Sequence, residues 1–200
     1  MNGHTTATPV ARQEIRAPEW LRDWVRRLES DQRLDKAATV LQPVATSVGA
    51  GRRGLVLQGR AIGHALHPLM TDLPLGCWMS AGLLDLFGGK QSRTAARRLV
   101  GFGLLAVPGT VATGMADYAD IADQPDRRVA VVHAAGNAAV AALYFASWRA
   151  RRRGRFGSGK ALGLAGGLLA MGTGYLGGHL SFARSVGTGA RGLESGVAGD

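Results

Sequence analysis

Four histidines stand where imidazole chemistry is possible: His64 and His67 in "GHALHPLMTDLPLG" (63–76), His133, and His179. Imidazole is the commonest metal ligand, a frequent axial ligand of haem iron, and the side chain that changes charge near neutral pH. His67, His133 and His179 lie on three separate segments. Together they could supply two axial ligands to a b-type haem or three corners of a transition-metal site, with His64 a further nitrogen three residues before His67. Asp72 or Asp117 could add a ligand or orient an imidazole. The plainer reading of the same groups is hydrogen bonding to carboxylates and carbonyls at helix ends. No nucleophile–base pair, phosphate loop or nucleotide fingerprint accompanies them. No catalytic residue is therefore assigned, and the chain is not expected to be an enzyme on its own. Cys77 is the single cysteine, which excludes a disulfide framework or a cysteine-held cluster within one chain.

The elements that must position these groups are apolar blocks. Mean hydropathy is only +0.03, but that average hides four runs near 68–88, 99–116, 129–148 and 161–183. Each is close to the ~20 residues that cross a hydrocarbon core as helix. Stretches such as "VAVVHAAGNAAVAALYFASW" lack the polar stripe of a soluble bundle helix. The expected fold is all-α: an integral-membrane four-helix bundle, up-down-up-down, over 67–183. Residues 18–66 are expected as an amphipathic, interfacial helical segment, and 1–17 and 184–200 as disordered tails. Ala134, Ala138 and Ala142, and the pairs Gly163/Gly167 and Gly174/Gly178, have the four-residue spacing that lets membrane helices approach closely. Pro74 and Pro108 should free carbonyls that neighbouring groups must satisfy.

A net charge of +10 raises nucleic acid as a partner. The distribution argues against it, because the arginines sit in short loops and leave no basic folded surface. "RARRRGRFGSGK" is a juxtamembrane cluster suited to anionic lipid headgroups. The positive-inside bias places loops 89–98 and 149–160 in the cytoplasm and both termini outside. Arg52, Arg53 and Arg60 in the tail run against that orientation. The first residues show no cleavable signal peptide. In "PEWLRDWVRRLES", Trp20, Leu21, Trp24, Val25 and Leu28 share one helical face. That face suits either a membrane interface or packing onto the outer ends of the bundle or a partner subunit. Antiparallel threading brings His67, His133 and His179 to one end with Asp117 and Asp72. Asp85 lies at the other end, where it is expected to pair with Lys90 or to snorkel outward.

"LQGRAIGHALHPLMTDLPLGCWMSAGLLDLFGG", "GMADYADI", "RRVAVVHAAGNAAVAALYFASWRARRRG" and "GYLGGHLSFARSVG", in that order, resemble a bacterial four-span membrane family catalogued as domain of unknown function 2231. The resemblance implies a multi-pass protein of the bacterial plasma membrane. Some relatives carry a Rieske iron–sulfur domain after the fourth span, which implies a redox setting; Cys77 alone cannot hold such a cluster, so that partner is expected as a separate protein. The leading expectation is a haem- or metal-binding or electron-transfer module using the histidine cluster. The alternative is a non-catalytic scaffold or anchor for a partner protein.

Overall fold

Four long helices and three shorter ones account for most of residues 17–187, the part of the chain that the computed structural model describes. The expected tails fall outside it, except Ala17 at one end and residues 184–187 at the other. No strand occurs among the described residues. The short helices come first: α1 (Glu19–Ser30), α2 (Asp35–Gly49) and α3 (Gly51–Leu57). The long ones are α4 (Leu66–Phe87), α5 (Arg93–Ala119), α6 (Gln124–Arg152) and α7 (Phe156–Gly178), which runs into a π-helical turn, His179–Ala183. Their ends are legible in residue types. α6 follows Asp123, carries proline in its first turn with Asp126, and closes on Arg149, Arg151 and Arg152. Acids at the N-terminus and bases at the C-terminus complement the helix dipole.

The α4–α5 and α6–α7 hairpins are the most extensive packings. α5 also touches α6, and α7 touches α4, which closes a four-helix ring. At about 1.5 Å per residue the four helices span about 33 to 43 Å. By length and apolar content α5 and α6 qualify as membrane spans. The expectation of four such spans is thus met for two by this criterion. Asp72, Asp85 and the prolines lower α4, and glycine dilutes α7.

Two cores divide the bundle. Trp78, Ala81, Ala96, Val100, Val140 and Tyr144 fill one half, with Trp78 and Tyr144 stacked at 4.0 Å between ring centroids. Glycines make room for these rings: a Cβ on Gly103 would stand 2.3 Å from the Trp78 indole, and one on Gly166 2.9 Å from the Tyr144 ring. Gly163 and Gly167 also lie against Tyr144, as their spacing suggested. The alanine stripe does not pack as expected, because Ala138 and Ala142 are exposed on the outside of α6. Gly174, too, faces open space.

The second core joins Val25 of α1 and Ala45 of α2 to Tyr118, Ile121, Val129, Ala130, Leu176 and Leu180. The N-terminal helices therefore lie across one end of the bundle. Polar ties hold them there: Tyr118 Oη donates to Ala38 O at 3.2 Å, and Arg128 donates to both Asp35 oxygens at 2.6 and 2.9 Å. The amphipathic face of α1 is split, with Val25 buried and Leu28 packed on the core while Trp20 stays exposed. Residues 184–187 lie against the same end. Arg184 Nε bonds Asp126 Oδ1 at 2.5 Å, and Val186 packs on the core.

Candidate functional site: a histidine pair at the capped end of the bundle

His67 lies in the first turn of α4, where Pro68 is tolerated because its missing N–H would be unpaired there anyway. Its Nδ1 sits 3.1 Å from Thr110 O and 3.1 Å from Thr113 Oγ1 on α5. A carbonyl only accepts, so Nδ1 carries the proton and Nε2 the lone pair. That Nε2 has no hydrogen bond among the described residues. Gly114 opens the space, since a Cβ there would stand 2.8 Å from the ring. About two turns further along α4, Pro74 cannot donate to the Met70 carbonyl. Thr110 Oγ1 donates to it instead at 3.0 Å, as the proline argument required.

His133 on α6 repeats the arrangement against α7. Its Nδ1–H donates to Thr173 O at 2.8 Å, and Gly177 provides the space that Gly114 provides for His67. Here the second nitrogen is also occupied, because Asn137 Nδ2 donates to Nε2 at 3.0 Å. Thr173 Oγ1 donates to Asn137 Oδ1 at 2.9 Å and closes the circuit. Every polar atom in it is paired, so the neutral imidazole is the form the circuit fits. The His67 and His133 rings meet edge to face, with centroids 6.4 Å apart.

The other expected members are elsewhere. His179 follows α7 at the same end, but its Nε2 faces Glu29 Oε1 of α1 at 3.1 Å. Asp72 is exposed on the outer side of α4. Asp117 is buried; among the described residues it bonds no histidine and its Oδ1 has no partner, and Gly187 closes over Oδ2. His64 is exposed in a loop. Gly59 and Gly63, both left-handed, break the helix that would have aligned it with His67; a Cβ on Gly59 would collide with the His64 carbonyl at 1.8 Å. The expected ring of three histidines is thus a pair plus separate groups. Among the described residues no three His, Cys, Asp or Glu side chains converge as metal ligands.

Sequence reasoning missed the polar site at the other end. Arg151 is buried and forks onto Asp85, with Nη1–Oδ1 at 2.8 Å and Nη2–Oδ2 at 2.5 Å. Its Nε also donates to Ser147 Oγ, and Nη2 to Gly159 O. Arg151, not Lys90, is thus the partner of the Asp85 carboxylate, while Lys160 Nζ reaches the Asp85 backbone carbonyl at 2.5 Å. The available signal was Ser147 one turn before Arg151 on an apolar face, with Gly159 leaving room for the guanidinium.

No curated protein and no solved structure matches this chain. The sequence pattern described as "Predicted membrane protein (DUF2231)" matches residues 63–190, which takes in all four long helices and both polar sites. The chain belongs to the DUF2231 family of membrane proteins.

Proposed function

We propose that the chain is a four-span protein of the bacterial plasma membrane that serves as a non-catalytic scaffold or anchor. Apolar side chains exposed on all four long helices support four spans. Leu69, Met79 and Leu86 stand out on α4, Leu105 on α5, Phe145 on α6, and Leu168 and Met171 on α7. In water such a surface would drive association; against lipid it is the expected exterior. The basic stretches 89–98 and 149–160, which the structure resolves as two short connections and the helix ends beside them, support a cytoplasmic assignment for that end, with the N-terminal helices outside.

The observation that carries the scaffold reading is how the histidine end spends its polar groups. His67 ties α4 to α5, His133 and Asn137 tie α6 to α7, and His179 ties the end of α7 to α1. Interhelical hydrogen bonds of this kind fix which helices pair inside a membrane. The N-terminal layer meanwhile presents exposed Trp20, Val40, Val44 and Ile62, an amphipathic surface for the interface or for a partner protein.

A second reading rests on one specific feature, the unpartnered Nε2 of His67. A ligating histidine commonly donates its other ring N–H to a carbonyl, as both members of the pair do. His67 and His133 would be the ligands for one transition-metal ion or a haem iron, with Asn137 displaced from His133. A separate redox protein would then be the partner. The test is a visible spectrum with metal analysis of the purified protein. The scaffold reading expects no Soret band and no stoichiometric metal; a cofactor lost on both His67→Ala and His133→Ala would overturn it in favour of the second reading.

A further inference from the structure

At the basic end, α5 and α6 leave a groove of about 480 Å³ between them. Its walls are Phe102, Leu104 and Leu105 from α5 and Phe145 and Trp148 from α6, with Arg98 at one side. A second hollow, of about 300 Å³, adjoins it at Trp148 and is bounded by Arg149, Arg152 and Arg153. Trp148 lines both, so the cationic hollow lies next to the apolar slot. Trp148 sits at the junction. Its ring lies 6.1 Å from that of Phe145, and the Arg152 guanidinium stacks over it at 5.0 Å. Gly101 lets the indole reach across, since a Cβ there would be 3.0 Å from Nε1.

Two further features mark this as a place for a ligand. Arg98, Arg149, Arg152 and Arg153 have no carboxylate partner among the described residues, in contrast to Arg128, Arg151 and Arg184, which do. The Trp148 N–H likewise has no acceptor there. Four unneutralised guanidiniums and one indole donor over an apolar slot are complementary to a phosphate, its ester carbonyls and an attached acyl chain. We propose that this groove is a binding site for one anionic phospholipid. The acyl chain lies along Phe102, Leu105 and Phe145, and the phosphate is held by Arg98 and Arg152. The indole N–H of Trp148 bonds an ester carbonyl. The proposal rests on the membrane reading above, with the basic stretches 89–98 and 149–160 at one membrane face.

The test uses the full chain purified in detergent, with phosphatidylglycerol and phosphatidylcholine of the same acyl chains competing for it in native mass spectrometry. The expected result is a preference for phosphatidylglycerol of about tenfold, because both lipids offer the phosphate but only phosphatidylcholine brings a choline cation up against the arginines. Arg98→Gln with Arg152→Gln should erase the preference, and Arg155→Gln, outside the groove, should leave it. Leu105→Trp, which fills the slot, should lower retention of both lipids. Each variant should unfold at the wild-type temperature, because these side chains are exposed.

Equal retention of the two lipids by the wild type would overturn the site, as would a preference that survives the double arginine substitution. Displacement by soluble glycerol phosphate as effective as by lipid would reduce it to an anion site with no chain. A dimer broken by Leu105→Trp, without lipid retention, would give the groove to a second copy. Extraction without detergent would refute the membrane reading itself; detergent-dependent extraction without lipid preference removes the groove alone.

Discussion

Replacing Asp85 by alanine should destabilise the bundle by about 3–5 kcal/mol, the usual penalty for stranding one member of a buried ion pair. The magnitude follows from the surroundings. The Arg151 side chain is 1% exposed and that of Asp85 12%. Without the carboxylate, the guanidinium keeps only Ser147 Oγ and Gly159 O, two neutral acceptors, at 3.1 and 3.2 Å. Arg151→Met should be milder, because Lys160 stays beside Asp85 and can offset part of its charge. Asp85→Leu combined with Arg151→Met should return most of the loss, since an apolar pair of similar volume is often neutral or better than a buried ion pair. Denaturant titration of the purified protein in mixed micelles, with the Asp85→Leu single variant added to close the cycle, should give an interaction energy far from additivity. A cost below about 1 kcal/mol for Asp85→Ala, the scale of an exposed pair, with additive effects in the double variant, would refute the reasoning.

Gly103→Ala should cost about 1–3 kcal/mol by overpacking, because the new methyl meets the buried Trp78 indole at 2.3 Å. Gly82→Ala, which meets nothing within 4 Å, should be silent or slightly stabilising in the same unfolding assay. Hydrogen bonds from Arg128 and then Gln124 hold the Asp35 carboxyl at about 2, below its ordinary 3.8. A depressed carboxylate pKa stabilises above the unfolded value and loses that contribution as pH falls through the folded one. Attachment of α1 and α2 should accordingly weaken between about pH 4 and 2. Tryptophan fluorescence from Trp20 and Trp24 would report it. Asp35→Asn should flatten that part of the profile, and an unchanged acid transition in the variant would contradict the assignment.

Much of the architecture was legible because burial in an apolar medium leaves so few options. Charge-free runs bounded by arginine loops admit little besides antiparallel helices, and α4 to α7 lie close to the four runs read from hydropathy. The role of Pro74 was equally readable, since its missing N–H must leave the Met70 carbonyl for another donor, and Thr110 supplies it. The histidines show where such reading stops. Depth along each helix is a one-dimensional quantity and says only which end of the bundle His67, His133 and His179 share. Which imidazole meets which neighbour depends on helix rotation. That rotation is set by close contacts such as Gly114 on His67 and Gly177 on His133, which no periodicity announces. Asp72 was misplaced for the same reason, lying on α4 at the expected depth but on its outer side. Ala138 and Ala142 taught the converse, because small residues at regular spacing permit close packing without requiring it. Arg151 was hidden in a basic run in which its neighbours Arg152 and Arg153 are exposed and it alone turns inward.

The most direct test of the four-span account is sided cysteine labelling in intact cells, in a Cys77→Ala background. Single cysteines would replace exposed residues Ala61, Ala122 and Phe182 at one end of the bundle and Gln91 and Gly154 at the other. Four spans predict that positions 61, 122 and 182 react with a membrane-impermeant maleimide from one side, and positions 91 and 154 only from the opposite side. Finding positions 61 and 182 on the same side as 91 and 154, with 122 alone across the membrane, would leave α5 and α6 as the spans and contradict the account.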